Sequence, residues 1–138
     1  MGRSEADRIV ESMMEADLFS QWLGIRILMI DAGECELEMV VRDEMVNGFG
    51  IAHGGIVYSL ADSALAFAAN TRGKVSVALN NSISYPAAVF PGDCLRAVCS
   101  ELTSTRRTGT YDVTITRDAE VVALFRGLVY RKNETHAI

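Results

Sequence analysis

Between His53 and Asn70 the chain carries a single charged residue, Asp62, in a run that opens on Gly54 and Gly55 and is otherwise small or apolar. A helix apolar on nearly every side is a buried helix. An isolated carboxylate in such a place costs several kcal/mol unless it is hydrogen-bonded, paired or wet. Asp62 is therefore a candidate for chemistry. The first turn of such a helix presents unpaired N–H groups and the positive end of the macrodipole. Glycines there let a carbonyl oxygen approach the backbone, since no Cβ stands in the way. A carboxylate and an N–H cradle together suit attack on an acyl carbonyl, the cradle receiving the developing oxyanion. A second reading stands beside each of these. The glycines also serve tight packing against a sheet, and Asp62 also serves as a structural carboxylate with Tyr58 and Ser59, one turn back, as its partners.

Asp62 lies seven residues beyond Gly55, an axial rise of roughly 10 Å. The two cannot act on one bond within one chain. In a dimer with antiparallel helices, Asp62 of one copy faces the glycine turn of the other. His53, at the junction of loop and helix, reads as a base or as a hydrogen-bonding brace for the loop. The only other histidine is His136, and no cysteine or carboxylate stands at zinc-like spacing, so no metal is expected. Asn47 reads either as a holder of a carbonyl or water, or as the turn residue of Asn47-Gly48. Gly48-Phe49-Gly50 is not a dinucleotide loop, because His53 occupies the third glycine position. No Gly-x-Ser-x-Gly elbow is present.

The elements that position these residues follow from periodicity. Ser4 and Asp7 form a capping box for a helix over Glu5 to Asp17, where Ile9, Val10, Met13 and Met14 recur at helical spacing. Phe19, Trp22 and Leu23 extend an apolar patch to Gly24, either packing the leading helix onto the body or walling an acyl pocket. Ile25–Ile30 and Cys35–Arg42 read as strands joined by the turn Asp31-Ala32-Gly33-Glu34. Asp43 to Ala52 is a loop, and Gly73 closes the long helix. Lys74–Tyr85, Cys94–Leu102, Gly109–Thr116 and Val121–Arg131 read as four further strands.

The length of 138 residues fits one domain. A formal net charge of -5 with no basic patch argues against nucleic acid as a partner. Asp62 and the glycines argue against a membrane span. Three cysteines without a CxxC pair fit a reduced, cytoplasmic protein whose thiols act as small core residues.

Asn47, five residues, His53-Gly54-Gly55, six residues and Asp62 together resemble the signature of the hot-dog-fold acyl-CoA thioesterases, in particular their phenylacetate-degradation branch, the PaaI type. The resemblance continues through Leu60-Ala61-Asp62-Ser63, Phe67-Ala68-Ala69-Asn70, Pro91-Gly92-Asp93, Thr108-Gly109-Thr110-Tyr111-Asp112 and Ala123-Leu124-Phe125-Arg126-Gly127. It implies an α+β hot-dog fold, an antiparallel sheet of six strands around one long central helix. The domain would span residues 1–138, with a leading helix and connection at 1–23 and a polar tail at 132–138. It implies a homodimer within a homotetramer.

The resemblance further implies Asp62 as nucleophile or general base, Gly55 with Gly54 as oxyanion donors across the subunit boundary, and Asn47 as holder of carbonyl or water, with His53 beside them. Coenzyme A would lie along the subunit surface with its phosphates near Arg106 and Arg107. It would be part of the acyl-CoA substrate, and no separate cofactor is expected. Two departures stand out. Relatives carry Leu-Arg-Pro where this chain has Pro86-Ala87-Ala88 after Tyr85. Val77 and Ala78 are apolar where some relatives hold water with a Ser or Thr, which leaves Asn80, Asn81 or Ser82 for that role beside Tyr58. The implied activity is hydrolysis of phenylacetyl-CoA or a ring-hydroxylated derivative. Alternatives are hydrolysis of medium-chain or other aryl-acyl-CoA, and a non-catalytic acyl-CoA-binding module. A hydratase is disfavoured because glycines, not a proline, follow His53.

Overall fold

The structure is a computed structural model, and it describes residues 3–137. Two helices lead. Helix α1 (Glu5–Ala16) is closed at its start by the expected box, Ser4 Oγ accepting from the Asp7 N–H at 3.0 Å. Helix α2 (Leu18–Leu23) was not legible from periodicity. The Asp17 side chain caps its start and Gly24, at φ +77°, closes it. Strands β1 (Arg26–Asp31) and β2 (Glu34–Val40) form a hairpin. A 3₁₀ turn at Asp43–Met45 leads to the long helix α3 (Gly54–Asn70). Strands β3 (Lys74–Ser84), β4 (Cys94–Ser104), β5 (Thr108–Arg117) and β6 (Glu120–Thr135) complete one antiparallel sheet, ordered β1-β2-β4-β5-β6-β3.

This is the expected hot-dog arrangement. The sheet wraps α3, whose Val57, Leu60, Ala61, Ala64, Leu65, Phe67 and Ala68 are buried against inward residues of the strands, among them Leu37, Met39, Ala97, Val113 and Phe125. Gly73, at φ +102°, turns the chain out of α3 as anticipated. Two expectations change. Residues 132–135, expected as part of a polar tail, continue strand β6, and the His136 ring reaches the Asn70 side-chain oxygen at 2.7 Å. Cys35 and Cys99 are buried cross-strand neighbours, but Cys94 is exposed at the start of β4. Among the described residues no helix is long and apolar enough to cross a membrane.

The end of the sheet where α3 terminates is tied by a charged cluster. Glu101 accepts from Arg72 at 2.8 Å, from the Tyr111 hydroxyl at 2.8 Å and from Arg131 at 3.3 Å. Burial pushes the Glu101 carboxyl up, but hydrogen bonds from Arg72 and Tyr111 and the charges of Arg72 and Arg131 outweigh it and hold it below the usual carboxylate range. Arg131 is 6% exposed. Glu101→Ala leaves that guanidinium without its counter-charge, and urea denaturation is expected to show a loss of about 2 kcal/mol. A depressed carboxylate stabilises above its unfolded pKa, and that contribution disappears as pH falls through the folded one. The gap between native and Glu101→Ala should therefore shrink in acid.

Candidate active site

The glycine turn is built by His53. Its backbone N–H donates to Met45 O at 2.8 Å, and its Nδ1 accepts from the Gly55 N–H at 2.9 Å, so the imidazole is the N-cap of α3. This is the bracing role. It occupies the N–H expected to receive the oxyanion, since Gly55 is already engaged. The first-turn N–H without an acceptor among the described residues is that of Gly54. A Cβ on Gly54 would lie 3.3 Å from the Tyr85 hydroxyl, which donates to Gly54 O at 2.9 Å. Asn47 holds the loop before the helix, its side-chain oxygen accepting from the Phe49 N–H at 2.8 Å. That is the turn geometry of the second reading, and it leaves the Asn47 amide NH2 uncommitted among the described residues.

Asp62 sits two turns further along α3, half-buried. Its Oδ1 accepts from the Asn81 amide nitrogen at 3.2 Å, and the same nitrogen donates to the Tyr58 hydroxyl oxygen at 2.9 Å. A carboxylate can only accept, so the NH2 group of Asn81 must face it, and Tyr58 then receives the other amide proton. Burial raises the Asp62 pKa. The Asn81 hydrogen bond opposes that rise and the negative charge of Asp17 adds to it. Asp17 is held nearby by a chain of hydroxyls, Ser20 Oγ lying 2.6 Å from Asp17 and 2.8 Å from Ser63 Oγ.

A β-bulge decides which of the three polar residues on β3 faces Asp62. Ala78 pairs with Val129 and Asn80 with Leu128, so Leu79 is an extra residue on its strand. Strict alternation from the buried Ser76 would put Asn80 and Ser82 on the inward side. The bulge shifts the pattern by one, setting Asn81 opposite Gly127 and Ile83 opposite Phe125 on the helix side. Asn80 is exposed, and Ser82 lies with Asp112 and Arg126 along the outer face. The Asn81 side-chain oxygen is buried without a partner, and a Cβ on Gly127 would stand 2.8 Å from it and 2.5 Å from Leu65 Cδ2. Only a glycine leaves room there.

Gly54, Tyr58 and Asp62 thus form one stripe of α3 facing β3, with Tyr85 bonded to its start and Asn81 to its end. Arg106 and Arg107 lie apart from it. They occupy the β4–β5 turn, where Arg107 donates to Asn133 Oδ1 at 2.9 Å, beside the Glu101 cluster at the far end of α3. In the leading patch Leu23 is buried, whereas Phe19 and Trp22 are half-exposed, stacked at 6.0 Å, with the Arg42 guanidinium 4.8 Å from the Trp22 ring centre. Phe19, Met45, Val46 and Ile56 line a cleft of about 280 Å³ together with Glu44, His53, Gly55 and Ser59. Asp17 and Ser20 had no signal in the sequence as site neighbours, because their approach depends on α2.

The family model for the thioesterase superfamily matches residues 49–124. A putative esterase of Archaeoglobus fulgidus is 38% identical over 129 residues, 93% of this chain and 84% of that protein. The acyl-coenzyme A thioesterase PaaI of Escherichia coli is 38% identical over 121 residues, 87% of this chain and 86% of its own. The solved structure of the E. coli PaaI protein, from the phenylacetic acid degradation operon, superposes with a TM-score of 0.93 at 36% identity, covering 95% of this chain and 96% of that one. Fold, glycine turn and sequence agree, and the chain belongs to the thioesterase superfamily, on its PaaI-like branch.

Proposed function

We propose that the protein hydrolyses acyl-CoA thioesters, with an aromatic acyl group such as phenylacetyl or its ring-hydroxylated form as the preferred substrate. The observation that carries this reading is Asp62, an acceptor-only carboxylate set in an apolar helix and oriented by the Asn81 amide. The similarity to PaaI supports the thioester. The cleft beside Phe19, where Met45, Val46 and Ile56 stand with Glu44, His53 and Ser59, supports the aromatic group through the Phe19 ring on its wall and its size of about 280 Å³. Asp62 drives attack on the carbonyl carbon, and Gly54, rather than Gly55, donates its free N–H to the oxyanion. His53 keeps the turn in shape, and the Asn47 amide NH2 is available to the carbonyl. The coenzyme A phosphates are assigned to Arg106 and Arg107 of a neighbouring copy.

Asp62 lies eight positions beyond Gly54, about 12 Å along the helix, so the two act together only across two copies. Strand β3 is a sheet edge with exposed Val77 and Leu79. Two-fold pairing of copies along this exposed edge would set Asp62 of one copy beside Gly54 of the other. Pairs of such dimers form the tetramer, and the site works in the cytoplasm. A panel of aryl- and alkyl-CoA thioesters, read by thiol release, tests the activity; binding without release on every member would overturn it. Mixing and re-annealing Asp62→Asn with Gly54→Val protein tests the shared site. Random pairing regenerates one intact site in each mixed dimer, hence roughly a quarter of native activity; no recovery would place both groups in one chain's site.

A further inference from the structure

The hydroxyl of Tyr58 is a donor without a role in the fold. Its oxygen is filled by the Asn81 amide at 2.9 Å, and its own proton has no acceptor among the described residues. The ring is held by an edge contact with Phe125, centroids 5.5 Å apart, so the hydroxyl is fixed in place. Tyr58 precedes Asp62 by one helical turn, about 6 Å, on the same face. Asn81 ties both oxygens to one nitrogen. A proton donor and a carboxylate acceptor bridged in this way enclose a spot where a water accepts from one and donates to the other. Other unused groups are spoken for: Arg131 and Tyr111 by Glu101, His136 by Asn70, Tyr85 by Gly54.

We propose that the Tyr58 hydroxyl donates to the attacking water while Asp62 takes that water's proton. The inference rests on the thioesterase reading above and selects between its two routes, making Asp62 a general base. The water oxygen bonds to the thioester carbonyl carbon as its proton passes to Asp62. Collapse of the tetrahedral adduct breaks the C–S bond, and the Asp62 carboxyl returns the proton to the departing thiolate. The carboxylic acid product then ionises to solvent.

Steady-state kinetics of full-length Tyr58→Phe with phenylacetyl-CoA provide the first test. The ring contact is kept, so kcat is expected to fall roughly 10- to 100-fold with KM within about twofold. A KM increase with kcat unchanged would assign Tyr58 to substrate binding and overturn the proposal. The second test is a single turnover in ¹⁸O-water with enzyme in excess. Label is expected in phenylacetate and absent from Asp62 by peptide mass spectrometry; label in Asp62 would mean direct attack and overturn the proposal. Asp62→Asn separates the two levels. If that variant keeps turnover, the thioesterase mechanism itself fails; if it is inactive while Tyr58→Phe runs at the native rate, only the water-holding role fails.

Discussion

Asp62→Asn is expected to lower kcat by about 1,000-fold or more while the protein keeps its fold. The replacement carries an oxygen where Asp62 Oδ1 accepts from Asn81, so the local hydrogen bond survives and only the base is lost. Because burial disfavours the charged form of Asp62, the neutral variant should melt no lower than native protein, and a thermal scan alongside the kinetics checks this. Native kcat/KM should show an acid limb. The active form is the carboxylate, so the rate falls as pH drops through a pKa lying above the ordinary aspartate value. In Asn81→Leu the opposing hydrogen bond is gone, and the limb should move to higher pH. A limb in the ordinary range, unmoved in that variant, would mean that the Asn81 contact does not govern the ionisation.

Gly127→Ala is the second large effect, and it acts at a distance from any substrate. The added methyl meets Leu65 Cδ2 at 2.5 Å and the Asn81 oxygen at 2.8 Å. Leu65 is buried in a core residue's position on α3, and overpacking of this kind costs about 1–3 kcal/mol. The Asn81 amide is the softer of the two neighbours and gives way, carrying its nitrogen from Asp62 and Tyr58. Denaturant midpoints should therefore fall, and kcat should drop about tenfold or more in the fraction that remains folded. Gly109→Ala is a control for the stability part alone. Its methyl would clash with Arg131 and Tyr111 at 2.7 and 2.9 Å, at the opposite end of α3. If Gly109→Ala lowered kcat of folded protein as much as Gly127→Ala, general softening would account for both.

The order of elements was legible because α3 is apolar on every side and β2 alternates cleanly, Cys35, Leu37 and Met39 inside. Asp62 was legible for the same reason, a lone charge in an apolar run. Three features were not. Helix α2 is six residues long, too short for periodicity to register. The engagement of the Gly55 N–H depends on the rotamer of the His53 ring, which no spacing encodes. The choice among Asn80, Asn81 and Ser82 turned on a single extra residue in β3, and strict alternation points to the wrong two. Arg106 and Arg107 were expected from the resemblance alone, and the fold places them in the β4–β5 turn, at the end of α3 away from the glycine turn.

The extra residue at Leu79 also bears on solubility. An open edge of eleven residues with apolar side chains is a template for runaway strand addition, the route to fibrous aggregates. The bulge at Leu79 and a second irregularity between Lys74 and Ser76 interrupt the even row of N–H and C=O groups along this edge, which discourages open-ended addition of extended strands. A mutation that straightened β3 would therefore endanger the protein twice, restoring an unbroken apolar edge and leaving the active carboxylate unsupported.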